Sequence, residues 1–142
     1  MVTETTEGHR EHREVELNRH AESGLTREVI GCAIAVHREL GPGMLESVYE
    51  ECLCLELTGQ GIPFQRQHPV PVTYRGAPVG IGFRMDVLVA GELAVEIKAV
   101  DQVLLVHEAQ LLTYLRFGGL KRGLLLNFHA RNLAAGLRRI SL

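Results

Sequence analysis

A chain of 142 residues, 46% hydrophobic and 23% charged, is long enough for one domain with a real core and too short for two. No run approaches the roughly 18 apolar residues of a membrane span. The polar opening MVTETTEGHREHREVE lacks the apolar core of a secretory signal, so the expected location is the cytoplasm with no membrane partner. The net charge of −2 conceals an uneven distribution: residues 1–24 hold six acids and three arginines, and the remainder holds eleven acids and twelve bases.

Residues 1–24 show few apolar positions and no clear period, and read as a flexible tail. His9 and His12 in it have helix-compatible spacing for a metal, but without a packed frame they read, like His20, as solvated. The globular part spans residues 25–142. Thr26 is a candidate N-cap for a first helix in which Val29, Ile30, Ala33, Ile34, His37 and Leu40 recur at helical spacing. Gly41-Pro42-Gly43 breaks the chain, and a second helix runs from about Leu45 to Thr58 with Val48, Cys52, Leu53 and Leu57 as its inner stripe. Cys32, Cys52 and Cys54 give an odd count and no CxxC spacing, which argues for reduced, buried thiols rather than disulfides or zinc.

The period then changes. Phe64 to Tyr74 reads as a strand that Pro69 and Pro71 push toward a sheet edge. A turn at Arg75-Gly76-Ala77-Pro78 leads into a longer strand, Val79 to Ala90, and Leu93 to Val100 returns after Gly91-Glu92. A third helix, about Val103 to Phe117, carries Val106, Leu111 and Leu115 on its apolar face, and Gly118-Gly119 stops it. GLLLNF, residues 123–128, is a run apolar but for Asn127 and reads as a buried strand. A short helix from about Asn132 and a terminal strand complete an α/β chain of order ααβββαβ with a little more after it, which implies a mixed sheet flanked by helices.

The chemistry concentrates in GFRMDVLVAGELAVEIKAV, residues 82–100, where Asp86, Glu96 and Lys98 interrupt apolar strands. Glu96 and Lys98 are two apart and leave the same face. A three- or five-residue loop centred on Gly91 sets Asp86 opposite Glu96; a two-residue turn offsets them, and the sequence does not fix the register. Two close carboxylates repel unless a proton, a basic group or a divalent cation relieves them. An oxygen-rich patch with open positions suits Mg²⁺ or Mn²⁺, which would activate water and clamp a phosphate beside Lys98. The plainer reading is a structural salt bridge of Lys98 with either acid on an exposed sheet face. Glu46, just after the glycine break, is either favourable charge at a helix N-terminus or a third acid delivered to the metal. Gln110 and Tyr114 share a face of the third helix, with His107 one turn earlier; they bind a phosphate, brace the lysine, or form a polar helix face. No acid follows Glu108, whereas Arg116, Lys121, Arg122, Arg131, Arg138 and Arg139 do, as on a solvated surface or a phosphate-facing one.

GPGMLESVY carries the G-x-x-E-x-x-Y signature of the bacterial GxxExxY protein family, and GFRMD, VEIKAV and HEAQLLTYL resemble that family's later blocks. The likeness extends from about Leu25 to the C-terminus. The family in turn resembles the PD-(D/E)XK nuclease superfamily, whose restriction-endonuclease-like core is α-β-β-β-α-β with an acid, then E-x-K, on the central hairpin. The resemblance implies that Asp86 and Glu96 are metal ligands, that Lys98 polarises water or phosphate, and that Glu46 is the acid of the first core helix. It also implies that Gln110 and Tyr114, matching a Q-x-x-x-Y motif of the recombination-exonuclease branch, hold substrate together with Arg84. Met85, where the superfamily motif has proline, is the one departure.

The function expected is Mg²⁺- or Mn²⁺-dependent hydrolysis of nucleic-acid phosphodiesters. The runner-up is a non-catalytic module that binds nucleic acid or self-assembles on a nuclease-like fold. A small-molecule hydrolase has no support beyond the pocket. The small size predicts a homo-oligomer or a partner that supplies specificity.

Overall fold

The computed structural model describes residues 2–5 and 24–142. In chain order the elements are β1 (Val2–Thr5), α1 (Gly24–Leu40), α2 (Glu46–Gly59), β2 (Phe64–Tyr74), β3 (Ala77–Val89), β4 (Leu93–Lys98), α3 (Leu105–Gly118), β5 (Arg122–Asn127), α4 (Leu133–Gly136) and β6 (Leu137–Ser141). The tail expected over residues 1–24 thus includes a strand at Val2–Thr5, paired antiparallel with β6. The rest of that stretch, with His9, His12 and His20, lies outside the described residues.

Among the described residues six strands form one mixed sheet in the order β1-β6-β5-β4-β3-β2. Only β4 and β5 run parallel, joined by the crossover helix α3; the other neighbours are antiparallel. This is the mixed sheet that the order ααβββαβ implies, with β2, the strand carrying Pro69 and Pro71, at an edge. β4 and β5 are buried at nearly every position because helices cover both faces of the sheet there.

Two cores result. On one face α1 and α2 bury Val29, Ala33, Val36, Leu53 and Leu57 against Val87, Val95, Ile97, Leu124 and Leu126. On the other face α3 buries Leu111 and Leu115 against Met85, Leu88, Ala94 and Leu125. The buried stripe of α2 differs from the expected one. Tyr49, Glu50, Leu53, Cys54 and Leu57 turn inward, while Val48 and Cys52 are half-buried. The rotation follows from two polar side chains with inward partners, since Tyr49 stacks on Phe128 and Glu50 is ion-paired to Arg66. The same happens in α3, where Val106 is exposed and Glu108 takes its place, buried and 3.6 Å from Arg138 Nε. Cys32 and Cys54 are buried and free, as expected, and Cys52 is partly covered. Among the described residues no helix is long and apolar enough to cross a membrane.

Candidate active site

The turn between β3 and β4 decides where their charged residues fall. Ala90 and Gly91 both adopt positive φ, and the Glu92 N–H donates to the Val89 carbonyl at 2.9 Å. Val89 then faces Leu93 and Val87 faces Val95; continued by one residue, this register sets Asp86 opposite Glu96. It is the three-residue loop centred on Gly91, one of the turns the sequence left open. Past Val87 a side chain enters the ladder: the Ile97 N–H donates to Asp86 Oδ2 at 2.8 Å.

Asp86, Glu96 and Lys98 converge. Lys98 Nζ lies 3.8 Å from Glu96 Oε1, close enough for an ion pair and too far for a good hydrogen bond. Glu96 is only 8% exposed, and its Oε2 is buried without a hydrogen-bond partner. Burial chiefly, and then the Asp86 charge and a hydrogen bond with Asp86, push the Glu96 carboxyl up to about 9; Lys98 opposes the shift and Glu46 adds to it. Two ionised carboxylates have no proton to share, so a hydrogen bond between Glu96 and Asp86 requires that one of them keep its proton.

Glu46 reaches this place from the first turn of α2, and its Oε2 accepts from the Ala99 N–H at 3.2 Å, just beyond β4. The glycine break and Tyr49 fix that approach. The Tyr49 ring is fully buried against Phe128 with centroids 4.5 Å apart. Its hydroxyl donates to the Gly41 carbonyl at 2.5 Å and accepts from the Met44 N–H at 3.1 Å, pinning both ends of a loop in which Gly43 takes φ 105°. In G-x-x-E-x-x-Y, then, glycine turns the chain, tyrosine locks the turn, and the glutamate is presented. Tyr49→Phe keeps the stacking and leaves a loop carbonyl and amide without their partner. Urea denaturation is expected to show a loss of about 1–3 kcal/mol.

Tyr114 is half-buried on α3, tilted against Phe83 at 5.0 Å, and held above the ordinary tyrosine range by burial and then by the charges of Glu96 and Asp86. Its hydroxyl is therefore a neutral donor beside the carboxylates. Gln110 is exposed one turn earlier on α3, and His107 Nδ1 accepts from the Leu104 N–H at 3.0 Å, capping that helix. Arg84 is exposed and donates to the Gln67 carbonyl at 3.3 Å.

The basic C-terminal stretch divides. Arg138 turns inward to Glu108, and the Arg116 guanidinium lies over the Phe117 ring. Lys121 and Arg122 sit at the start of β5, the end of the sheet opposite Lys98, which pairs with Asn127. Five strand steps separate those ends, about 16 Å.

Three residues of this neighbourhood have no counterpart in the expected site. Glu50, one turn after Glu46 and buried, accepts from Arg66 Nε at 3.1 Å and Nη2 at 2.8 Å, and from Gln67 Nε2 at 2.7 Å. Gln67 Nε2 also lies 3.3 Å from Asp86 Oδ1. The i, i+4 spacing of Glu46 and Glu50 was a usable signal. The position of Gln67 was hidden: the turn pairs Tyr74 with Ala77, which alone would set Gln67 against Arg84. A bulge between Pro71 and Thr73 shifts the register by two and brings Gln67 opposite Asp86.

Among the described residues no three His, Cys, Asp or Glu side chains gather closely enough to cage a cation by themselves. The donor set is instead an oxygen pair, Asp86 and Glu96, with an unpartnered buried oxygen, which suits an ion that keeps several waters and binds through one or two carboxylates plus substrate phosphate.

A mixed sheet between two layers of helices, with two carboxylates and a lysine where its central hairpin opens, is a nuclease-like architecture. A family model described as the PD-(D/E)XK nuclease superfamily matches residues 23–140, and the chain belongs to that superfamily. No curated protein and no solved structure matches it.

Proposed function

We propose that the protein hydrolyses phosphodiester bonds of nucleic acid with the aid of a divalent cation, Mg²⁺ or Mn²⁺. The observation that carries this reading is Glu96 Oε2, a buried carboxylate oxygen without a partner, in a pair with Asp86 and next to Lys98. A pair built for structure alone would be neutralised by the lysine. Here Lys98 stands 3.8 Å away, on Oε1, and burial of Glu96 is the larger effect. Membership of a nuclease superfamily supplies the substrate class.

Asp86 and Glu96 would hold the cation, with the exposed Glu46 adding a third carboxylate whose charge is felt at Glu96. When bound, the ion supplies Lewis-acid polarisation of the phosphate and a more acidic water. The chain does the rest. The Ile97 N–H fixes Asp86, and the buried wall keeps Glu96 from turning away. Lys98 puts an ammonium where negative charge grows on the phosphoryl oxygens as the water oxygen bonds to phosphorus, giving up a proton to solvent, and the ester oxygen leaves, taking a proton from solvent. Tyr114 keeps its proton and donates to a phosphate oxygen; Gln110 and Arg84, both exposed, extend the polar surface along the strand and helix. A location in the cytoplasm accords with this substrate.

The test is incubation with labelled single- and double-stranded DNA and RNA in Mg²⁺, Mn²⁺ or chelator. Cutting that needs the metal is the expected result. Binding of nucleic acid with no cutting in either metal would overturn the enzyme and leave a binding module; neither binding nor cutting would remove nucleic acid altogether.

A further inference from the structure

We infer that Gln67 is a positioning residue that sets the Asp86 carboxylate, tying it to the buried Glu50 and its ion pair with the exposed Arg66; the inference rests on the metal-site reading above and deepens it. Three features of the backbone and side chains lead there.

The first is conformational. Gln67 lies within β2, flanked by the pairs Arg66–Val87 and His68–Met85, yet has φ 51°. A left-handed residue other than glycine, aspartate or asparagine is uncommon, and inside a strand it persists only where its surroundings demand it. The second is the broken alternation that results. Consecutive strand residues normally point to opposite faces, but Arg66 and Gln67 both reach the carboxylate of Glu50. Opposite, Met85 packs in the α3 core while Val87 and Val89 pack in the core of α1 and α2, so β3 changes face at Asp86. The irregularity is thus centred on the Gln67–Asp86 pair.

The third is the bonding. The Gln67 amide group presents two hydrogens, and its nitrogen lies 2.7 Å from Glu50 Oε1 and 3.3 Å from Asp86 Oδ1. Glu50 is itself fixed through Oε2 by two guanidinium contacts from Arg66. Asp86 is then held at both oxygens, by a strand N–H on Oδ2 and by Gln67 on Oδ1, with one acceptor direction of each left for a ligand. Outer partners of this kind orient a ligating carboxylate, and their loss typically costs 10–100-fold in metal affinity.

Two variants separate the side chain from the strained backbone. Gln67→Ala removes the amide and keeps a Cβ in the left-handed region; Gln67→Gly removes the amide and tolerates that region freely. Mn²⁺ affinity by titration calorimetry and metal-free thermal unfolding are measured for the parent and both. The expected result is a 10–100-fold weaker Kd in both variants, with Gln67→Gly folded and cooperative. Parental Mn²⁺ affinity in a folded Gln67→Gly protein would overturn the positioning role and leave Gln67 a purely structural bridge, while the metal site stands. A parent that binds no Mn²⁺ would overturn the metal-site reading itself, and this inference with it.

Discussion

Lys98→Ala is expected to cut nucleic acid at least about 100-fold more slowly than the parent while binding it with similar affinity. The ammonium is half-buried at the end of β4, beside Glu96 and too far from it for a good hydrogen bond, so in the free protein it has work left undone. Its proposed interaction is with charge that grows as the phosphorus–oxygen bond breaks, and such an interaction lowers the barrier without adding much to ground-state binding. Loss of one preorganised electrostatic stabiliser typically lowers the rate by two to three orders of magnitude. Single-turnover cleavage with excess protein, next to a binding titration in Ca²⁺ or chelator, separates the two effects. A variant that cuts at the parental rate would remove Lys98 from the chemistry. One that loses binding and cutting together would make it a phosphate anchor.

Most of the fold was legible because each element carried a local signal of its own. The run GLLLNF read as a buried strand, and its residues 123–127 are the buried part of β5. Pro69 and Pro71 argued against a place in the sheet interior for β2, and it is an edge strand. Glycine pairs and the Gly-Pro-Gly break marked the helix ends to within a residue or two. What failed was rotation. Hydrophobic spacing put Val48, Cys52 and Val106 inward, whereas Tyr49, Glu50 and Glu108 are the residues that turn in. Each of these three has a specific polar or aromatic partner far along the chain: Phe128, Arg66 and Arg138. Such partners outweigh a valine's preference and leave no mark in a period count.

The candidate site divides in the same way. The convergence of Glu96 and Lys98 followed from i, i+2 spacing alone, and that of Asp86 required a register which the left-handed Ala90-Gly91 turn decided. Gln67 was out of reach, because the bulge beyond Pro71 moves the pairing by two residues. The charge count after Glu108 fitted a solvated surface or a phosphate-facing one, and could not show where each base would fall. Arg138 serves the buried Glu108, and Lys121 and Arg122 occupy the far end of the sheet. Arg138→Ala is therefore expected to lower stability, by leaving a buried carboxylate unpaired, before it alters any salt dependence of binding.

The metal-free protein is expected to lose stability as pH rises, and Glu96→Gln is expected to abolish that loss. Glu96 titrates near 9 in the folded chain against an ordinary value of 4.5, because burial and the adjacent Asp86 disfavour its charge. A folded-state pKa above the unfolded one means that folding takes up a proton between the two values. The stabilising contribution is complete below 4.5 and disappears as pH climbs through about 9. Each unit of such a shift corresponds to about 1.4 kcal/mol, and relaxation around a coupled pair reduces the sum to an effect on the order of a few kcal/mol. Glutamine has nearly the same shape, carries no proton to exchange, and offers an N–H to Asp86 in place of the carboxyl hydrogen. In chelator, the stability of the parent between about pH 5.5 and 9 should fall relative to that of Glu96→Gln, which isolates this group from the histidines and other carboxylates that titrate in both proteins. Mn²⁺ at pH 8 reverses the order. It displaces the proton and stabilises the parent by mass action, with little effect on the variant that lacks the second carboxylate. Parallel stability curves for the two proteins in chelator would mean that Glu96 is already ionised there, paired with Lys98 as a structural salt bridge; the case for a cation would then lose its main support.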